Sequence, residues 1–131
     1  MKKYIVLFVL VALFAGNSIA AENLSKERLD LAEKAYKLAL KSDNAGVRNS
    51  ALHRIAVLKS RAPEFETNEY KSILKSMANK DDKAYIRVNA KITLDLLNND
   101  NLIENVDTET IDPNEFFNGI HMKMVDLYAT N

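Results

Sequence analysis

Asp43-Asn44-Ala45-Gly46-Val47-Arg48-Asn49-Ser50-Ala51 returns thirty-nine residues later as Asp82-Lys83-Ala84-Tyr85-Ile86-Arg87-Val88-Asn89-Ala90. Asp43 matches Asp82, Ala45 matches Ala84, Val47 matches Ile86, Arg48 matches Arg87 and Ala51 matches Ala90. Farther on, Ile55 matches Leu94 and Leu58 matches Leu97. In both copies a short acidic turn precedes apolar residues at helical spacing, which is how an N-cap followed by an amphipathic helix reads. Asp43 is the expected N-cap of the first copy and Asp81 or Asp82 that of the second. The preceding segments match at an offset of thirty-eight: Ala35 with Ile73, Tyr36 with Leu74, Ala39 with Met77. Self-similarity at a fixed period points to a repeated supersecondary unit, here a helix, a turn and a second helix.

Working outward, the first helix pair is expected over 24–60 and the second over 67–97. The first helix presents Leu31, Ala32, Ala35, Tyr36, Ala39 and Leu40 on one face, with Ser25 or Asn23 as cap. Pro63 stops the second helix, because it cannot continue one and biases Ala62 away from helical angles. The fourth helix, over about Lys83 to Leu97, carries two apolar stripes and leaves only Arg87, Lys91 and Asp95 as a polar line. A helix apolar on most of its circumference is buried on two sides, so it is expected at the centre, with Ala90 and Leu94 buried. Residues 98–111 form an acidic connection. Asp112-Pro113-Asn114-Glu115 then starts a C-terminal helix over 112–128, with Asp112 as cap and Pro113 at the first helical position. Its expected inward residues are Phe117, Ile120, Met124, Val125 and Tyr128. Gly119 weakens it or admits a close neighbour.

An Asp-capped turn followed by Val/Ile-Arg-x-x-Ala, repeated near forty residues, resembles HEAT and HEAT-like repeats over about Leu24 to Leu97. The resemblance implies an all-α fold: a short right-handed stack of antiparallel helix pairs, about five helices in all, with the last as a cap. It also implies that Asp43 and Asp82 are caps and that Arg48 and Arg87 bridge neighbouring units. Two units are few for such an array, and the usual loop proline is missing from both turns. An irregular helical bundle is the alternative.

The N-terminus reads as an export signal. Lys2 and Lys3 precede an apolar run from Tyr4 to Ala15, and Ser18-Ile19-Ala20 places small residues where a signal peptidase cuts. Residues 1–20 are the expected signal peptide, cleaved between Ala20 and Ala21. The run is shorter than the ~20 residues that span a bilayer, so no stable membrane insertion is expected after cleavage. The chain has no cysteine, so residues 21–131 must hold as one domain by apolar packing alone. A periplasmic or secreted bacterial protein fits these features.

Charge is uneven. Residues 21–97 hold fifteen Lys and Arg against eleven Asp and Glu, a net of +4; residues 98–131 hold one Lys against seven acids, a net of −6. Neither block is dense enough for nucleic-acid binding, and the acidic segment is expected to lie back on the basic body. No catalytic, metal or cofactor constellation is present in the sequence. His53 and His121 lack a second ligand at metal-binding spacing. Ser50 and His53 are three apart on one helix without an oxyanion loop. The three glycines make no phosphate cradle, and 98–112 lacks the central Gly and closing Glu of a calcium loop. What remains is a non-catalytic binding or adaptor protein of the envelope that takes an unknown protein partner. The alternatives are a periplasmic inhibitor or immunity-type factor, or an enzyme or small-molecule binder with a site between helices. In a HEAT-like stack the second helices line the binding surface, which here would present His53, Arg54 and Lys91.

Overall fold

The structure, a computed structural model, describes residues 25–130. The expected signal peptide and its Ala20–Ala21 cleavage site lie outside the described residues. The described chain is all-helical: α1 (Lys26–Leu40), α2 (Ala45–Arg61), α3 (Asn68–Lys80), α4 (Ala84–Leu97), α5 (Asp100–Glu104) and α6 (Pro113–Ala129).

α1 begins at Ser25, whose hydroxyl accepts from the Arg28 N–H at 3.3 Å, and buries Ala32, Ala35, Tyr36, Ala39 and Leu40. A short turn folds α2 back against it. The cap of α2 is Asn44, not Asp43: the Asn44 side-chain oxygen accepts from the Val47 N–H at 3.2 Å. Asp43 stands one residue too early to reach the free N–H groups of the first turn. α2 ends at Arg61 with Ala62 beyond it. Buried Phe65 then pins the linker, and the Lys59 ammonium donates to the Pro63 and Phe65 carbonyls.

α3 repeats the packing of α1. Tyr70, Leu74 and Met77 are buried at the positions thirty-eight beyond buried Ala32, Tyr36 and Ala39. The N-cap position of α4 is Lys83, and no side chain caps it. Asp82 is therefore not the cap. Asp81 accepts from the Lys83 N–H at 3.0 Å, but both carboxylates are drawn to Arg48, because a charge-assisted bond to guanidinium outweighs one to a neutral amide.

α4 packs on α3, α2, α5 and α6 and buries Ile86, Asn89, Ala90, Ile92, Thr93, Leu96 and Leu97. Its central place follows from this surround. Leu94 departs from expectation: it is only half-buried, because it faces an open groove between α3 and α4. Within the acidic connection, α5 forms behind an Asn99 cap and anchors through buried Ile103. Asp112 caps α6 by accepting from the Asn114 and Glu115 N–H groups at 2.8 and 3.0 Å. α6 buries Phe116, Phe117 and Ile120, whereas Val125 and Tyr128, expected inward, are exposed. An added Cβ at Gly119 would meet nothing within 4 Å, so no neighbour requires that glycine.

Candidate functional site

Arg48 lies between the two hairpins and is 8 % exposed. Its Nε and Nη2 donate to the two carboxylate oxygens of Asp81, both at 2.9 Å, and Nη2 also donates to Asp82 at 2.9 Å. Its Nη1 donates to the Ser42 carbonyl at 2.8 Å. Burial alone would raise the Asp81 pKa, but the Arg48 hydrogen bonds and charge hold it below the usual carboxylate range.

Arg87, its counterpart, makes only half of this set. Its Nη1 donates to the Asp81 carbonyl at 2.6 Å, and Asp81 stands thirty-nine residues after Ser42, so the turn contact repeats. Among the described residues no carboxylate meets the rest of the Arg87 guanidinium. Among the described residues Arg87 therefore bridges no neighbouring unit, because α5 and α6 rather than a third hairpin follow α4.

One helical turn beyond Arg87, at Lys91, an open groove of about 530 Å³ begins, lined by Lys71, Lys75 and Ala78 of α3 and by Lys91, Leu94 and Asn98 at α4. On the first hairpin the counterparts of these residues form the junction with the second. Glu33, the counterpart of Lys71, takes the Tyr70 hydroxyl on its carbonyl at 2.7 Å. Lys37, the counterpart of Lys75, pairs with Glu33 at 2.8 Å and with Glu69. Leu52 and Ile55, the counterparts of Lys91 and Leu94, are fully buried. The face that is covered on the first hairpin is thus open and basic on the second.

The expected surface of His53, Arg54 and Lys91 does not exist as one surface, because α6 lies across α2 and α4. His53 is 1 % exposed beneath Phe116, ring centroids 4.4 Å apart. Neither of its ring nitrogens has a hydrogen-bond partner. Burial, aided by the Arg54 charge, pushes its pKa down to about 4; the Thr110 backbone and the Asp112 charge oppose the shift without overcoming it. Arg54 is partly buried on the flank of α2. Lys91 is on the α3–α4 groove, paired with Asp95 at 2.9 Å.

A chain of asparagines ties the layers together. Asn89 Nδ2 donates to Asn49 Oδ1 at 2.8 Å, and Asn49 Nδ2 donates to Asn114 Oδ1 at 3.1 Å, linking α4, α2 and α6. The acidic segment meets the body at Arg61, which donates to the Thr108 carbonyl at 2.9 Å and pairs with Glu109 at 3.4 Å. Lys71, Lys75 and the asparagines do not stand out in the sequence. Carrying the thirty-eight-residue offset through Glu33 and Lys37 would have found the two lysines. Among the described residues no three His, Cys, Asp or Glu side chains gather as metal ligands would, and no helix is long and apolar enough to cross a membrane. Compared with known proteins, the chain matches no family model, no curated protein and no solved structure.

Proposed function

We propose that the chain is a non-catalytic protein-binding module of the bacterial envelope, exported with loss of residues 1–20, and that its two hairpins are HEAT-like units. It takes its partner on the open α3–α4 end. The carrying observation is Arg87, which repeats the Arg48 turn contact but lacks the carboxylates that Arg48 holds. The occupant is an acidic turn of another polypeptide, offering carboxylates to Arg87 as Asp81 and Asp82 offer theirs to Arg48, with Lys71 and Lys75 alongside.

A second copy stacked head to tail fits less well. Its matching turn would be Ser42-Asp43, one carboxylate instead of two. The position that faces Lys75 would hold Leu31 in place of an acid. Exposed Lys34 and Lys41 share the Leu31 flank of α1 at helical spacing, so like charges would meet across the join.

Carbodiimide cross-linking of the exported protein in envelope extract tests this reading. Cross-links should run from Lys71, Lys75 or Lys91 to Asp or Glu of one retained protein. Lys71→Glu with Lys75→Glu should abolish retention at unchanged thermal stability, while Arg28→Glu with Lys34→Glu on the opposite flank should not. Cross-links to a second copy, or retention indifferent to the groove charges, would overturn it.

A further inference from the structure

We propose that α6 is an acid-released cover over the α2–α4 face and that His53 is its latch. This inference does not depend on the partner-binding reading of the α3–α4 end.

α6 is held mainly by its first two turns, with half-buried Met124 packed against the core one turn further on. Phe116, Phe117 and Ile120 are buried, while Met122, Val125, Leu127 and Tyr128 are about half or more exposed. Its polar ties to the rest of the domain include the Asn114–Asn49 bond and the Lys123 charge acting on Asp107; among the described residues no salt bridge joins α6 to the body. The contact is therefore mostly apolar, and His53 sits in it.

A neutral imidazole can be packed against Phe116 with its nitrogens unbonded, at a cost. An imidazolium is strongly disfavoured there, because it brings a charge and two N–H donors into a dry contact whose one nearby acceptor, the Thr110 backbone, cannot serve both. The charged and polar groups around it are few. From α2 comes Arg54, which repels the cation. From the loop into α6 come the Thr110 backbone and Asp112, and the Asp112 carboxylate is already engaged by the Asn114 and Glu115 N–H groups. From α6 itself comes Phe116, which is uncharged. Lifting α6 brings water to the ring and relieves all of this.

The internal repeat shows that packing does not require a histidine here. The counterpart of His53 on α4, thirty-nine residues on, is Ile92, a buried aliphatic residue at 5 % exposure. An apolar side chain fills the position on α4, and a titratable one fills it on α2, where the Phe116 ring packs on it. Phe116, Phe117 and Ile120 belong to the same apolar cluster, but most of that cluster comes from the hairpins, with Ala51, Ile55, Tyr70, Leu74, Ile86 and Ala90 among them, so an apolar core remains when α6 lifts.

Amide NMR of the protein, titrated from pH 7 to 3.5, tests the latch. Signals of residues 113–121 should leave their native positions between about pH 6 and 4, in step with the His53 imidazole, while those of Leu74 and Ala90 persist. His53→Ile, the residue of the matching position, should keep α6 docked throughout that range; His53→Phe is the second variant should the first fail to fold. His121→Gln, which removes the exposed histidine of α6, should behave as the unaltered protein. Release of α6 at the same pH in the His53 variants would overturn the proposal. So would loss of the hairpin signals together with those of α6.

Discussion

His53 and Asp81 both have depressed pKa values, and they act in separate pH ranges. His53 has a folded pKa of about 4 against ~6.5 unfolded. Its neutral form is the one the fold accepts, so its contribution is whole above pH ~6.5 and is lost as pH falls toward 4. Denaturant unfolding across that window should show a loss of up to ~3 kcal/mol, absent in His53→Ile. Asp81 is also depressed, so its contribution survives to pH ~4 and fades only as pH drops through its lower folded value. Arg48→Ala strands the Asp81 carboxylate, whose side chain is 7 % exposed, and should cost ~3–5 kcal/mol. Replacing both partners with apolar residues, Arg48→Met with Asp81→Leu, should cost less than Arg48→Ala alone, since no buried charge is then left unpaired. Urea unfolding of the three variants checks the order.

At the scale of the helices, caps and buried faces make graded predictions. Asn44→Ala removes the cap of α2 and should cost ~1 kcal/mol, while Asp43→Ala, exposed and outside the first turn, should stay within ~0.5. Leu96→Ala should cost ~2–5 kcal/mol, because Leu96 is 2 % exposed; Leu94→Ala should cost clearly less, since its side chain borders the open groove. Gly119→Ala should stabilise α6 by ~0.5–1 kcal/mol, as a Cβ there meets nothing. Thermal unfolding separates these by sign as well as size. The sequence located the main helices to within a few residues, because apolar period and proline stops are local signals. It did not reveal α5, whose single turn is fixed by Ile103 packing and is too short to show a period.

For the molecule as a whole, the end faces decide its behaviour. A short stack stays soluble when its terminal unit turns a polar face outward. Here Lys91 and Asp95 stand where the first hairpin has Leu52 and Ala56, both fully buried. Lys91→Leu with Asp95→Ala would rebuild the covered face on the uncovered end. Sedimentation should then show concentration-dependent association, whereas the unaltered protein should show none through that face. If the double variant sediments unchanged, those two residues do not keep the end from stacking.

The sequence by itself determined the helical class, the two matched hairpins, the Pro63 stop and the Asp112 start of α6. Each of these is written in spacing along a single helix or in the chemistry of one turn. Only the tertiary structure decided where α6 docks, and with it the fate of His53, which looks like a surface residue on α2 and is buried under Phe116. It also decided that Arg48 would hold the Asp81-Asp82 pair while Arg87 would hold a carbonyl alone. Both arginines stand in the same local pattern. The difference between them is whether another hairpin lies beyond, and a repeat cannot carry that information in its own residues. The caps follow the same logic: Asp81 and Asp82 face a guanidinium more than thirty residues away, and that long-range charge pulled them from the role their turn suggested.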